Sequence, residues 1–288
     1  MSTNANFFDT IDWRARWIDA QQVRLPIDDD SSNWDKRAES FANRKVSSYS
    51  RKFIEFLGLE AGETALDMGC GTGEIAIQHA KAGCDIIAAD FSKGMLAYLR
   101  QGMADEGIGT ERSGNLGSIL PLEMSWTDDW STRGVTENCV DVAYASRSII
   151  VNDLGAALDK LCHVARKRCA ITLTTDSSPS EDNRLLEALG RKAVSSYDMI
   201  YAYNILYQMG LRPEIRMIES DKRSTYETLD QAIESGLRHI KNPTPEECAI
   251  VADFIAAHLV ENDDPDDPRP LKLDYSRYSK WAFISWEL

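Results

Sequence analysis

The stretch Leu66-Asp67-Met68-Gly69-Cys70-Gly71-Thr72-Gly73 decides the fold. Apolar residues lead into it from Thr64, and an amphipathic segment, residues 74–80, follows it. This pattern predicts a buried strand that turns sharply into a helix, because glycine permits backbone angles and close approaches that side chains forbid. The first turn of such a helix presents unpaired N–H groups to a ligand.

The glycine spacing restricts the kind of ligand. Dinucleotide sites use G-x-G-x-x-G, whereas here the spacing is G-x-G-x-G and Asp67 stands two residues before Gly69. A carboxylate would repel a pyrophosphate, but it suits a ligand that carries an ammonium group. A phosphate-binding P-loop is excluded because no Gly-Lys-Ser/Thr follows.

Composition narrows the partners and the compartment. The chain has 288 residues, of which 46 are acidic and 32 basic, giving a net charge of −14. Such a charge repels nucleic acids and anionic membranes, so we expect neither as a partner. The six cysteines lack C-x-x-C spacing and predict no metal site. Without a visible signal peptide or a bilayer-spanning apolar run, the sequence predicts a cytoplasmic protein.

Downstream of the glycines, strand and helix patterns alternate, which predicts a parallel sheet covered by helices on both faces. The further strands are expected at residues 84–90, 118–124, 140–145, 169–175, 213–219 and 278–286. Helices are expected at 92–101, capped by Ser92, at 152–166, and at 183–209 with a break.

Two regions fall outside this alternation. Residues 1–60 read as largely helical, with Ser32-Asn33-Trp34-Asp35 fitting a capping box. A long segment before the last strand contains Ser224-Thr225-Tyr226-Glu227 and Thr244-Pro245-Glu246-Glu247, which also fit capping boxes. This insert is therefore predicted to contain two helices.

The glycine-rich run resembles motif I, D-x-G-x-G-x-G, of the class I methyltransferases that depend on S-adenosylmethionine (SAM). The resemblance implies an α/β fold: a Rossmann-like seven-stranded sheet, mostly parallel with an antiparallel last strand, plus a helical lid. The implied organisation is an N-terminal helical lid at 1–60, a SAM-binding core at 61–223, a helical insert between strands six and seven at 224–271, and the last core strand at 272–288.

The resemblance also assigns cofactor contacts residue by residue. Asp67, Gly69, Cys70, Gly71 and Gly73 would surround the methionine end of SAM. Asp90, at the end of the second strand, would bind both ribose hydroxyls, since one carboxylate offers acceptors to a vicinal diol.

The next candidates are contacts to the adenine. Phe91 and Met95 would border the adenine, or else serve only in helix packing. After the third strand, Trp126 would lie against the adenine, and Asp128 or Thr127 would accept its amino group. Ser146 stands at the end of the fourth strand, at the edge where ligands bind in open α/β sheets.

Further candidates belong to the acceptor side of the site. Arg147 would face an anionic substrate or pair with Asp153. Tyr201 with Asn204 is an acceptor-site candidate, although an aromatic stripe at helical spacing also fits core packing. His239, in the insert, is the candidate general base.

The expected function is transfer of the methyl group of SAM to a small molecule, with S-adenosylhomocysteine (SAH) as the product. The motifs of amino-methyltransferases acting on adenine or cytosine, of cytosine C5 enzymes and of arsenic methyltransferases are missing from the sequence. Two alternatives stay open: an aminopropyl-type transferase that uses decarboxylated SAM, and a SAM-binding regulatory protein without catalysis. The sequence does not indicate an oligomeric state.

Overall fold

The computed structural model describes residues 7–22, 31–41, 46–175, 181–192, 196–222, 224–238, 240, 242–265 and 267–288. The chain divides into two compact units. The first comprises Met1–Leu173, Asp198–Ile218 and Ala282–Leu288, and the second comprises Thr174–Tyr197 and Glu219–Trp281.

The described strands form two sheets. Their bounds are β1 Thr64–Met68, β2 Asp85–Asp90, β3 Ile119–Glu123, β4 Val140–Ala145, β5 Ala165–Thr174, β6 Glu214–Lys222, β7 Thr225–Tyr226, β8 Leu259–Glu261, β9 Leu271–Leu273 and β10 Arg277–Glu287. The large sheet has the order β3-β2-β1-β4-β5-β10-β6, with six parallel strands and one antiparallel strand. The predicted seven-stranded, mostly parallel sheet is therefore confirmed. The order reverses between β1 and β4, which is where open α/β sheets bind ligands.

The described α-helices are α1 Trp13–Gln22, α2 Ser31–Phe41, α3 Ser48–Leu57, α4 Glu74–Lys81, α5 Lys93–Asp105, α6 Leu154–Val164, α7 Asn183–Ala188, α8 Asp198–Gln208, α9 Leu229–Leu237 and α10 Pro245–His258. Polar caps fix several of their starts, including the one that the sequence predicts at Ser92. Ser92 accepts a hydrogen bond from the Met95 N–H and starts α5. Asp153 accepts one from the Ala156 N–H and starts α6. None of the described helices is both long and apolar enough to cross a membrane.

The N-terminal helices are anchored to the first unit by specific contacts. In α1 the buried Trp17 donates its indole N–H to the Val151 carbonyl at 2.8 Å, which ties the helix to the loop after β4. In α3 the rings of Tyr49 and Phe53 are buried, and Phe53 packs on Tyr144 of β4 with 5.6 Å between ring centroids. These helices are thus part of the packed first unit.

Asp35 does not form the predicted capping box of its own helix. Residues 32–35 already lie inside α2, so the interpretation of Ser32–Asp35 as a helix start is wrong. Instead, the Asp35 carboxylate accepts hydrogen bonds from the Ser92 hydroxyl at 2.6 Å and the Gly94 N–H at 2.8 Å, at the first turn of α5. A Cβ at Gly94 would lie 2.8 Å from the Asp35 Cα, so glycine permits this close approach.

Replacing Asp35 with alanine should lower the free energy of unfolding by about 1 kcal/mol, because two donors at a helix start lose their acceptor. Urea denaturation followed by circular dichroism measures this change. Glu39→Ala alters another exposed acid of the same helix and should have a smaller effect. Equal losses in the two variants would contradict the contact's role.

The second unit has a small core of its own. Its three-stranded sheet has the order β7-β9-β8 and is antiparallel. The core is formed by buried residues of α7, α9, α10, this sheet and two connecting segments: Leu185, Tyr226, Ala232, Ile240, Val251, Ile255, Leu273 and Tyr275. The sequence did not predict this sheet, since strands of two or three residues carry too little periodicity to be recognised.

The helix boundaries decide three predictions for residues 183–258. The capping box at Thr244 and Glu247 is confirmed at the start of α10. The one at Ser224 is wrong, because β7 follows Ser224 directly and Thr228 caps α9. The helical stretch expected over 183–209 is two helices, α7 in the second unit and α8 in the first.

Candidate cofactor site

Asp67 is a buried carboxyl group without a cationic partner among the described residues. It stands at the second-last position of β1 with 2% of its surface exposed, and Tyr144 of β4 hydrogen-bonds to it. Burial raises the pKa of Asp67 to about 8, and the negative charge of Asp90 adds to the effect. A buried carboxylate is costly unless it is paired, so this position favours a positively charged ligand.

Tyr144 links Asp67 to a second buried group. Its hydroxyl lies 3.3 Å from the Nδ1 atom of His79, whose side chain is 2% exposed. Burial lowers the pKa of His79 to about 4, so the imidazole is neutral near pH 7. The Nε2 atom of His79 is buried without a partner. His79 therefore supports Tyr144 from within α4.

The three motif glycines have positive φ angles but different surroundings. The angles are 79° at Gly69, 56° at Gly71 and 83° at Gly73. A Cβ at Gly69 would lie 2.3 Å from the Ser148 Cβ, and one at Gly73 would lie 2.2 Å from the Leu99 Cδ1. A Cβ at Gly71 would meet nothing within 4 Å. At Gly69 and Gly73 the neighbouring side chains thus leave no room for a Cβ. Of the three glycines, only Gly71 borders open space.

Asp90 ends β2 with its carboxylate held by backbone donors. Its Oδ2 accepts from the Gly71 N–H at 2.8 Å, and its Oδ1 accepts from the Ser92 N–H at 2.9 Å. Burial raises the pKa of Asp90, while these backbone bonds act in the opposite direction. An ionised carboxylate has further acceptor capacity, so Asp90 retains the means to bind hydroxyl groups.

The other residues predicted around Asp90 are half-buried or buried. Cys70 donates its backbone N–H to the Ala89 carbonyl at 3.0 Å, and burial raises the pKa of its thiol. Phe91 is half-buried after β2. Met95 is 4% exposed in the first turn of α5. The carboxyl ends of β1 and β2 thus bring the predicted methionine and ribose residues together.

The loop after β3 is held in place by hydrogen bonds. The Trp126 indole donates to the Ser148 carbonyl at 2.8 Å, which joins this loop to the one after β4. The Thr127 hydroxyl lies 2.7 Å from the Ser125 hydroxyl, and the Asp128 carboxylate accepts the Ser125 N–H at 3.0 Å. Lys160 donates to the carbonyls of Trp126 and Asp128, each at 2.7 Å.

The end of β4 forms a polar network with α3 and β5. The Tyr49 hydroxyl lies 2.9 Å from the Ser146 hydroxyl and 2.6 Å from that of Thr172. Arg147 places its guanidinium carbon 4.1 Å from the centre of the Tyr49 ring. Its Nη2 atom lies 3.9 Å from a Glu74 carboxylate oxygen. Among the described residues the acidic group nearest to Arg147 is thus that of Glu74, so the predicted pairing with Asp153 is wrong; the Asp153 carboxylate caps α6 instead.

The remaining candidates lie elsewhere or outside the described residues. Tyr201 packs edge-on against Trp13 and Trp17 of α1, with ring centroids 6.2 and 5.8 Å away. The Asn204 amide donates to the Ile200 carbonyl of its own helix at 2.8 Å. These contacts belong to the packing of α1 on α8. His239 lies outside the described residues.

Several residues of the site were not predicted from the sequence. Tyr144 reaches Asp67 because the β1–β4 register pairs these two positions. Ser148 donates its hydroxyl to the Met68 carbonyl at 2.6 Å and packs on Gly69. Thr172 bonds to both Tyr49 and the Arg147 N–H. Such contacts join distant segments, so no local sequence signal could have indicated them.

A family model described as a methyltransferase domain matches residues 65–168, which contain motif I and the strands β2 to β4. Together with the strand order, this match decides the family. The chain belongs to the class I SAM-dependent methyltransferases. As a member of this family it is an enzyme whose cofactor is SAM.

Relatives of this methyltransferase include proteins with and without an assigned activity. It is 30% identical to an uncharacterised protein of Haemophilus influenzae, over 88% of each chain. It is 27% identical to a demethylmenaquinone methyltransferase of Corynebacterium glutamicum, over 56% of this chain and 62% of the relative. Among solved structures, a SAM-dependent methyltransferase of Aquifex aeolicus aligns with a TM-score of 0.48 and 18% identity, covering 65% of this chain and 92% of that one.

The site of this methyltransferase fits SAM in three respects. Asp67 is a buried carboxyl without a cationic partner in the described part of the chain, which suits the ammonium of SAM. The space above Gly71 admits a ligand against the backbone. Asp90 lies beside that space with acceptor capacity for a diol.

Proposed function

We propose that this methyltransferase transfers the methyl group of SAM to a small-molecule acceptor by in-line displacement, releasing SAH. When bound, SAM supplies an activated methyl group on a sulfonium, so the demands on the protein are binding, orientation and exclusion of water. A base is required only where the acceptor must lose a proton. The observation that carries the proposal is the buried Asp67, which has no cationic partner in the described part of the chain and stands on the strand that leads into the open Gly71 loop.

In this proposal each strand end has a defined task. Asp67 holds the ammonium of the methionine end, Gly71 admits the cofactor against the backbone, and Asp90 binds the ribose hydroxyls. Phe91, Met95 and Trp126 border the adenine, and Thr127 or Asp128 accepts its amino group. The N-terminal helices act as a lid, for which the Asp35 contact to the start of α5 provides an anchor.

Two observations support a small molecule as the acceptor. The net charge of −14 disfavours nucleic acid. The relatives from Corynebacterium carry a name that specifies demethylmenaquinone, which is a small molecule. We further propose that the enzyme acts in the cytoplasm, in keeping with its free cysteines.

Replacing Asp90 with alanine should weaken binding of SAM and of SAH by about 1–3 kcal/mol, because charge-assisted hydrogen bonds to the ribose would be lost. Isothermal titration calorimetry measures both affinities. Asp105→Ala, at the exposed end of α5, is the matched control and should leave them unchanged. Equal affinities in wild type and Asp90→Ala would rule out the ribose assignment.

The acceptor side can be tested by incubating the purified protein with methyl-labelled SAM and a small-molecule extract of cells. A labelled product of low mass supports the proposal. Binding of SAM without any labelled product would favour a regulatory protein. Tighter binding of decarboxylated SAM than of SAM, in parallel calorimetry, would favour an aminopropyl-type transferase.

A further inference from the structure

Arg147 has a guanidinium group with unused hydrogen-bonding capacity. Its side chain is 41% exposed. Within the described residues the guanidinium contacts only the face of Tyr49, at 4.1 Å, and Glu74, at 3.9 Å. The second distance is longer than a hydrogen bond, and no side-chain hydrogen bond of Arg147 accompanies it. A guanidinium carries a planar fork of N–H donors, so these donors remain open to a ligand.

Arg147 has an unusual backbone conformation that contacts with its neighbours hold in place. Its φ angle is 59°, in the left-handed region that residues other than glycine rarely adopt. The Arg147 N–H donates to the Thr172 hydroxyl at 2.9 Å, and Tyr49 bonds to the same hydroxyl. A left-handed arginine costs about 1–2 kcal/mol, and such conformations concentrate at functional sites. The hydrogen bonds with Thr172 thus hold Arg147 at the carboxyl edge of β4 in a backbone conformation that is unfavourable for arginine.

The charges nearby indicate which anion this position would take. Glu74 is itself engaged, since its Oε1 accepts the Ser47 N–H at 2.6 Å. Next to the Glu74 carboxylate, a single negative charge is tolerated better than a phosphate dianion. A planar carboxylate also matches the guanidinium fork in two parallel hydrogen bonds.

We propose that Arg147 is a carboxylate-binding residue of the active site. This inference rests on the function proposed above. The carboxylate belongs either to the methionine end of SAM or to the acceptor. In the first case Arg147 selects SAM over its decarboxylated form, and in the second it restricts the acceptors to carboxylic acids.

The test compares Arg147→Gln and Arg147→Lys with wild type by calorimetry against SAH and 5′-methylthioadenosine, which lacks the amino-acid end. If the carboxylate is that of the cofactor, Arg147→Gln should bind SAH about tenfold more weakly. Its affinity for methylthioadenosine should not change. The lysine variant should retain part of the SAH affinity, since it keeps the charge and loses the planar fork.

If the carboxylate is that of the acceptor, SAH affinity should be the same in all variants. Labelled products from the extract should then carry a carboxylate, and their formation should fall about tenfold in Arg147→Gln. Arg100→Gln, an exposed arginine of α5, is the control for loss of a positive charge. Thermal melts establish that each variant is folded.

The proposal is overturned if Arg147→Gln binds SAH as tightly as wild type and if, in addition, no carboxylate product depends on Arg147 for its formation. This failure differs from failure of the proposed function. In that case wild type itself would bind no SAH or would form no methylated product.

Discussion

Replacing Asp67 with asparagine is expected to make the protein more stable and to weaken its binding of SAM. The first effect follows from the pKa of about 8 in the folded state, against an ordinary value of 3.8. Between these values the folded protein retains a proton that the unfolded chain releases. The contribution of Asp67 to stability therefore falls as the pH rises from about 4 to about 8. Asparagine mimics the neutral form and removes this penalty.

The gain for Asp67→Asn should be about 1–3 kcal/mol at pH 7, since the native carboxyl keeps its hydrogen bond with Tyr144 and part of the desolvation is offset. Urea denaturation at about pH 5 and pH 8 measures it, and the gain should be larger at the higher pH. Asp105→Asn, on the exposed end of α5, should change little at either pH. A less stable Asp67→Asn protein would contradict the raised pKa.

The same substitution should weaken SAM binding by about tenfold or more, because a charge-assisted bond to the ammonium is lost. In wild type the cation favours the ionised form of Asp67, so binding releases a proton. Affinity should therefore increase as the pH rises towards about 8. Calorimetry in buffers of different ionisation enthalpy detects the proton release. A similar pH dependence in Asp67→Asn would show that another group is responsible.

The sequence predicted those parts of the fold that depend on local signals. The strand β4 at residues 140–145, the cap at Ser92 and the capping box at Thr244 all rest on short patterns whose physical causes are local. Asp35 shows the limit of such signals. An acid suited to capping a helix was assigned to its own helix, whereas the structure uses it at the start of α5. Which helix receives a cap depends on tertiary packing.

The candidate site also contains residues that local sequence patterns predict and residues that only the tertiary structure brings in. The strand-turn-helix pattern predicts Asp67 and the glycines, and the end of the second strand predicts Asp90. The parallel pairing of β1 with β2 brings these residues together. Tyr144 becomes part of the site only through the register of β1 on β4. The surroundings of Arg147 combine α3, α4 and β5, which lie far apart in the sequence. Contacts of this kind depend on topology, and local patterns do not encode them.

Alanine substitutions at Gly71 and Gly73 should separate cofactor binding from folding. Both positions have positive φ, so alanine costs about 1–2 kcal/mol of backbone strain at each. At Gly73 the new methyl group would also lie 2.2 Å from the Cδ1 of Leu99, which is fully buried. Overpacking there should bring the total loss of stability to about 2–4 kcal/mol.

At Gly71 the methyl group meets no protein atom within 4 Å, so Gly71→Ala should lose little beyond the strain. It would, however, project into the space proposed for the cofactor and should weaken SAH binding by about tenfold or more, through overpacking of the bound state. Thermal melts and SAH titrations of the two variants, each at a temperature where it is folded, measure both effects. The decisive comparison is within Gly71→Ala itself. If it binds SAH as tightly as wild type, the open space above the loop does not receive the cofactor, and the ammonium site at Asp67 must be approached from another side.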